Sequence, residues 1–127
     1  MDEKIFKVRT KKLAVSIINE VNQLPRSLAT DAIARQIVRS GTSIGANYRA
    51  ACRAKSVADM INKLKIVEEE SDETIYWLEL LVEAGLTQQE RIAEMYKETN
   101  EILAMTVSSI KTLRNRLPQS KIVNPKS

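Results

Sequence analysis

Leu13, Ile17, Val21 and Leu24, with Ala14 and Ile18 beside them, recur at intervals of three and four residues, the spacing of one helical face. Pro25 closes this segment, because the residue before a proline avoids the helical region. A second helix is predicted from small polar capping residues at Ser27–Asp31 to about Ala54, on Ile33, Ile37, Gly41, Ile44, Tyr48 and Cys52. Ser56 with Asp59 three residues on resembles a capping box and opens a third helix. Ile61, Leu64, Val67, Ser71, Ile75, Leu78 and Val82 form its inner face, and Gly85 stops it. Thr87 with Glu90 forms a similar box ahead of a fourth helix carrying Ile92, Met95, Tyr96, Ile102, Thr106, Ile110 and Leu113, which Pro118 ends. Short links between long amphipathic helices make neighbours antiparallel. The expectation is an all-α, up-and-down four-helix bundle over residues 1–117, followed by a flexible tail at 118–127.

The stretch "RSGTSIGANYRAA" from Arg39 to Ala51 admits two readings, a phosphate-gripping loop or the thin side of a helix. A P-loop needs a strand before it and a Gly-Lys-Ser/Thr ending, and neither is present. Helical spacing runs through the stretch from Ile33 to Cys52. Each interior glycine costs a helix about 1 kcal/mol relative to alanine. Close approach of a neighbouring helix offsets that cost, so Gly41, Ser43, Ile44, Gly45, Asn47 and Tyr48 are assigned to a helix–helix seam. Asn47, if buried there, needs a hydrogen-bond partner.

The same region resembles a known family. "RSGTSIGANYRAACRAKSVADMINKLKIVEEESDETIYWLELL" is similar to the small bacterial four-helix-bundle proteins encoded within intervening sequences of 23S ribosomal RNA. The matching residues are Arg39, Ser43, Ile44, Gly45, Asn47, Tyr48, Ser56, Ala58 and Asp59. They continue through Asn62, Lys63, Glu70, Glu73 and Thr74 into "YWLELL" at Tyr76–Leu81. The chain departs from the family pattern at Ala50, where relatives usually carry glutamate, and at Val57 and Met60. The resemblance implies a homo-oligomeric ring, a homopentamer of bundles. Similar bundles in diversity-generating retroelements are implicated in nucleic-acid and reverse-transcriptase binding. The resemblance carries no enzymatic activity to this chain.

Composition narrows the chemistry. The chain contains no histidine, which removes Ser-His-Asp and Cys-His nucleophile pairs, imidazole zinc sites and the Glu-x-x-His di-iron pattern. An enzyme would have to work with carboxylates or lysine, and the expectation is that this protein is not one. No catalytic residue, metal ligand or cofactor is assigned. Glu70 and Glu73, facing Glu94, Glu98 or Glu101, are a weak hard-metal alternative to solvated or paired charge. The lone Cys52 fits a reducing cytoplasm, no apolar run approaches a membrane span, and the N-terminus, with charges deep in it and no small-residue cleavage site, does not fit a signal peptide.

Charge divides along the chain. Residues 25–55 carry a net +5 and residues 56–86 a net −6. Arg35, Arg39, Arg49 and Arg53 make one stripe on the second helix. Glu69, Asp72, Glu73, Glu79 and Glu83, with Tyr76 among them, make an acidic one on the third. Either the stripes pair with each other, or the arginines are a phosphate footprint joined by Lys4, Lys7, Arg9, Lys11 and Lys12. The third helix is apolar over a wide arc, and Met60, Trp77, Leu80 and Leu81 beyond its main face predict an oligomer interface, with a core position for Trp77 as the alternative. Two functions stay open: an oligomeric bundle that binds structured RNA or DNA through its basic face, and a scaffold that recruits a protein partner and no nucleic acid.

Overall fold

Helix starts follow the caps. In the structure, a computed structural model that describes residues 2–117, α1 spans Glu3–Val21, α2 Leu28–Cys52, α3 Val57–Glu83 and α4 Gln89–Arg114. The tail expected at 118–127 lies outside the described residues. Ser27 and Ser56 cap α2 and α3, each side-chain oxygen accepting the N–H three residues on at 3.1 Å. The Asp59 carboxylate accepts a bond from the Lys55 N–H rather than from that of Ser56, one residue outside a true capping box. Past α3, Gly85 adopts φ 74°, the left-handed region that glycine enters at little cost. The Leu86 N–H then bonds the Leu81 carbonyl at 2.9 Å and the Gly85 N–H bonds Val82 at 3.0 Å, the paired bonds of a Schellman stop.

Three boundaries differ from the sequence expectation. Asp2 starts α1 by accepting the Ile5 N–H at 2.9 Å, which brings Phe6 and Thr10 into the core ahead of Leu13. At its other end α1 stops at Val21, four residues before Pro25. Tight i−3 bonds from Gln23 and Leu24 then wind the chain so that Leu24 still turns inward. At α4 the Thr87 box does not form: Gln88 is the cap residue, without a side-chain cap bond, and the Thr87 hydroxyl donates to Glu20 on α1. That bond holds the Thr87 side chain on α1, and its oxygen accepts no N–H of α4.

Helices adjacent in sequence pack together, and α1 closes the ring on α4, the layout of an up-and-down bundle. Phe6, Ile17, Ile37, Ile44, Leu64, Leu78 and Ile102 fill its centre, each at most 1% exposed. The Thr74 hydroxyl on α3 lies 2.9 Å from that of Ser40 on α2 and 2.8 Å from its own Glu70 carbonyl, so this buried hydroxyl pair has partners. α1 approaches α2 closely at the two glycines of α2. A Cβ built on Gly41 would sit 2.5 Å from Ile17 Cδ1, and one on Gly45 would sit 3.1 Å from Thr10 Oγ1. Asn47, half-buried, donates to the Ser43 carbonyl at 2.9 Å, and Tyr48 stacks on Phe6 with ring centroids 4.4 Å apart. The glycines therefore serve α1, while Ser40 serves α3.

Candidate nucleic-acid interface

Alternation of helices around the bundle puts α1 and α2 on one side and α3 and α4 on the other. Residues 2–55 hold eleven basic against four acidic side chains, and residues 56–117 hold seven against twelve. The molecule is thus a basic layer joined to an acidic one.

Three ion-pair clusters hold the layers together. Arg9 on α1 donates to both oxygens of Glu98 on α4, at 2.8 and 2.6 Å, and to Glu101 at 2.9 Å. At the other end of the same interface, Arg91 grips the nearly buried Glu20 at 2.9 and 3.1 Å and reaches Gln23 at 2.6 Å. Between α2 and α3, Arg39 donates to Glu70 at 2.9 Å and pairs with Glu73. Arg39 holds the Glu73 carboxyl below the usual carboxylate range, and Arg9 does the same for Glu98. A carboxyl depressed in the folded state adds stability above its unfolded pKa, and that stability is lost as pH falls through the folded value. Arg9→Met is therefore expected to cost about 1–2 kcal/mol at neutral pH and to flatten the stability loss below about pH 4.5. Urea unfolding at stepped pH reads both, and an unchanged acid limb would show that the cluster adds nothing.

The arginine stripe is split by these contacts. Arg39 leans toward α3 and is held there. Arg35, Arg49 and Arg53 are exposed and make no ion pair among the described residues. Arg9, counted in the basic footprint from sequence, turns to α4, which leaves Lys4, Lys7, Lys11 and Lys12 on the outer side of α1. Of the carboxylates weighed as metal ligands, Glu70 and Glu73 hold Arg39 while Glu98 and Glu101 hold Arg9. No group of three metal-ligating side chains is present among the described residues.

Where α1 and α2 come closest, the surface between them forms a groove of about 430 Å³, with Lys7, Lys11 and Arg49 on its rim and Ala14, Gly45 and Ala46 in its floor. Sequence reading identified each of these cations but not the groove. The small residues facing one another across the two helices were the signal for it.

The side chains assigned to an oligomer interface divide as well. Leu81 is 1% exposed and lies in the core, a correction to its interface assignment: it continues the buried face of α3 from Thr74 and Leu78 at helical spacing. Met60 and Trp77 are half-buried against the core. Leu80 is half-buried outside that cluster, near the exposed Tyr76. The Trp77 indole N–H is shielded from solvent and has no hydrogen-bond partner among the described residues.

Fold and surface together define a histidine-free four-helix bundle, latched by arginine–carboxylate clusters, with an open basic groove on one layer. The chain belongs to the 23S rRNA-intervening sequence protein family, whose model matches residues 3–108. It is similar to a crystal structure of a protein with unknown function from the S23 ribosomal protein family of Bacteroides thetaiotaomicron. The TM-score is 0.75 at 39% identity, over 84% of this chain and 98% of that one. No curated protein matches the sequence. Among the described residues, no helix is long and apolar enough to cross a membrane.

Proposed function

We propose that this protein is a non-enzymatic helical-bundle protein of the cytoplasm that contacts structured RNA, or another nucleic acid, through its α1/α2 layer. The observation that carries the reading is the uncompensated charge of that layer: Arg35, Arg49, Arg53 and Lys11 face solvent and pair with no carboxylate among the described residues. Of the cations with strong partners, Arg9 and Arg39 lie on the flanks facing the acidic layer, and Arg26 pairs with Asp31 at the start of α2. Phosphate is the ligand such a face attracts, and binding of this kind depends on backbone charge more than on base identity. The family's name, tied to a ribosomal-RNA intervening sequence, favours RNA. Self-association into a ring, a pentamer by family resemblance, completes the proposal. Ile5, Val8 and Tyr76 support it, all more than half exposed on the outer sides of α1 and α3. A second reading, recruitment of a protein partner, draws on the acidic α3/α4 layer.

The test is fluorescence anisotropy of a labelled ribosomal-RNA stem and a DNA duplex at about 50 and about 200 mM salt, on protein whose mass is read by light scattering. Binding should weaken steeply with salt, and by about tenfold or more in the Arg49→Glu/Arg53→Glu variant. Absence of binding at low salt would hand the function to the protein-recruiting reading, and a monomer in that assay would remove the ring.

A further inference from the structure

The α1/α2 groove is specific enough to name what enters it. This inference rests on the nucleic-acid reading above and narrows it to one structural element. Antiparallel packing sets Thr10 against Gly45 and Ile17 against Gly41. That register places Lys7 and Lys11 on one rim and Arg49 on the other, with Lys4 and Arg53 continuing the two rows. Along each helix, cations four residues apart rise about 6 Å, comparable to the step between phosphates in an extended strand. Lys7 has a carboxylate neighbour, Glu3 at 3.2 Å, but both side chains are well exposed and exchange readily with another anion.

What the groove lacks is equally informative. Its two hydroxyls are already committed to the backbone, Thr10 to the Lys7 carbonyl at 3.2 Å and Thr42 to the Val38 carbonyl at 2.7 Å. The floor residues Ala14, Gly45 and Ala46 offer no side-chain donor or acceptor, and no aromatic side chain lines the groove to stack a base. The rim therefore offers charge and the floor only shape. A groove of about 430 Å³ between adjacent helices can take one phosphodiester backbone but cannot enclose a duplex.

We propose that the α1/α2 groove seats a single phosphodiester strand running along the helices, its phosphates on Lys7, Lys11 and Arg49 and its bases turned outward unread. The strand is either free or one side of a stem. With three phosphates neutralised per subunit, the logarithm of affinity for a free strand should fall with the logarithm of salt at a slope of about −2.

The probes are labelled oligouridine, labelled oligothymidine and the ribosomal-RNA stem, with inorganic polyphosphate as competitor. Ala46 is exposed in the groove floor, so both of its charged variants keep the core intact, which circular dichroism checks. Ala46→Glu should weaken binding about tenfold and Ala46→Lys should strengthen it, while Ala32→Glu, the same change at an exposed alanine of the same helix but off the groove, should alter it less than about threefold. Oligouridine and oligothymidine should bind alike, and polyphosphate should displace both. Binding of the oligonucleotides identifies a free strand as the occupant; binding of the stem alone, with the same response at Ala46, identifies one side of a duplex. Equal losses from Ala46→Glu and Ala32→Glu would overturn the groove and leave the nucleic-acid reading standing. Failure of every probe to bind the wild-type protein would end both.

Discussion

Replacing Phe6 with alanine is expected to cost about 3–5 kcal/mol, a large share of the roughly 5–15 kcal/mol that holds a domain of this kind together. Phe6 is the chain's only phenylalanine and is 1% exposed. Its ring contacts Tyr48 at 4.4 Å in a tilted stack, linking the first turns of α1 to the last turns of α2. Truncation leaves a cavity that the surrounding helices close only in part, and it also removes an aromatic pair contributing about 0.5–1.5 kcal/mol. Phe6→Leu, which keeps most of the volume, should cost much less. The functional consequence is local, because Lys7 and Lys11 ride on the turns that Phe6 anchors. Urea unfolding gives the stability loss. A loss below about 1 kcal/mol for the alanine variant would mean that the start of α1 is not docked as described.

Gly41→Ala is expected to destabilise by about 1–2 kcal/mol, although alanine is the better helix former by about 1 kcal/mol. The reason is Ile17, whose Cδ1 would lie 2.5 Å from the new methyl group and which is itself 1% exposed. The contact is with the tip of a side chain rather than with backbone, so the conflict can be removed by a second substitution. Ile17→Val deletes that methyl group at a cost of about 0.5–1.5 kcal/mol. In the Ile17→Val background the added methyl at position 41 should then be neutral or stabilising, a change of sign that a double-mutant cycle measures directly. If Gly41→Ala stabilises the unmodified protein, the seam is looser than the structure has it.

The residues that made this fold legible beforehand were those whose effects are local. The serines at 27 and 56 announce helix starts because a hydroxyl three residues before an N–H caps it wherever the helix ends up. Gly85 announces a stop for an equally local reason, its positive φ. The inner faces of α2, α3 and α4 follow from spacing, since a helix repeats its face every three to four residues. Thr87 misled because its hydroxyl was claimed by Glu20, 67 residues away in sequence. The glycines at 41 and 45 announced a close neighbour without saying which. Family resemblance added the bundle's relatives, and the family match over residues 3–108 established that membership.

Along the arginine stripe the limit of sequence is plain. Spacing places Arg35, Arg39, Arg49 and Arg53 on one side of α2, and from that alone pairing and phosphate contact were equally coherent. Arg39 and Arg49, ten residues apart, are offset by about 80° around a helix, enough to turn Arg39 toward the acids of α3 and Arg49 toward the groove beside α1. Helix type, the helix ends at Ser27, Ser56 and Gly85, the apolar faces and the division of charge were therefore determined by the sequence alone, because each depends on neighbours a few residues away. Which charge meets which, and where a groove opens, was decided only by the tertiary structure, because both depend on how far each helix is rotated about its axis. That rotation is set by the side chains packed between helices, among them Ile17 against Gly41 and Thr10 against Gly45.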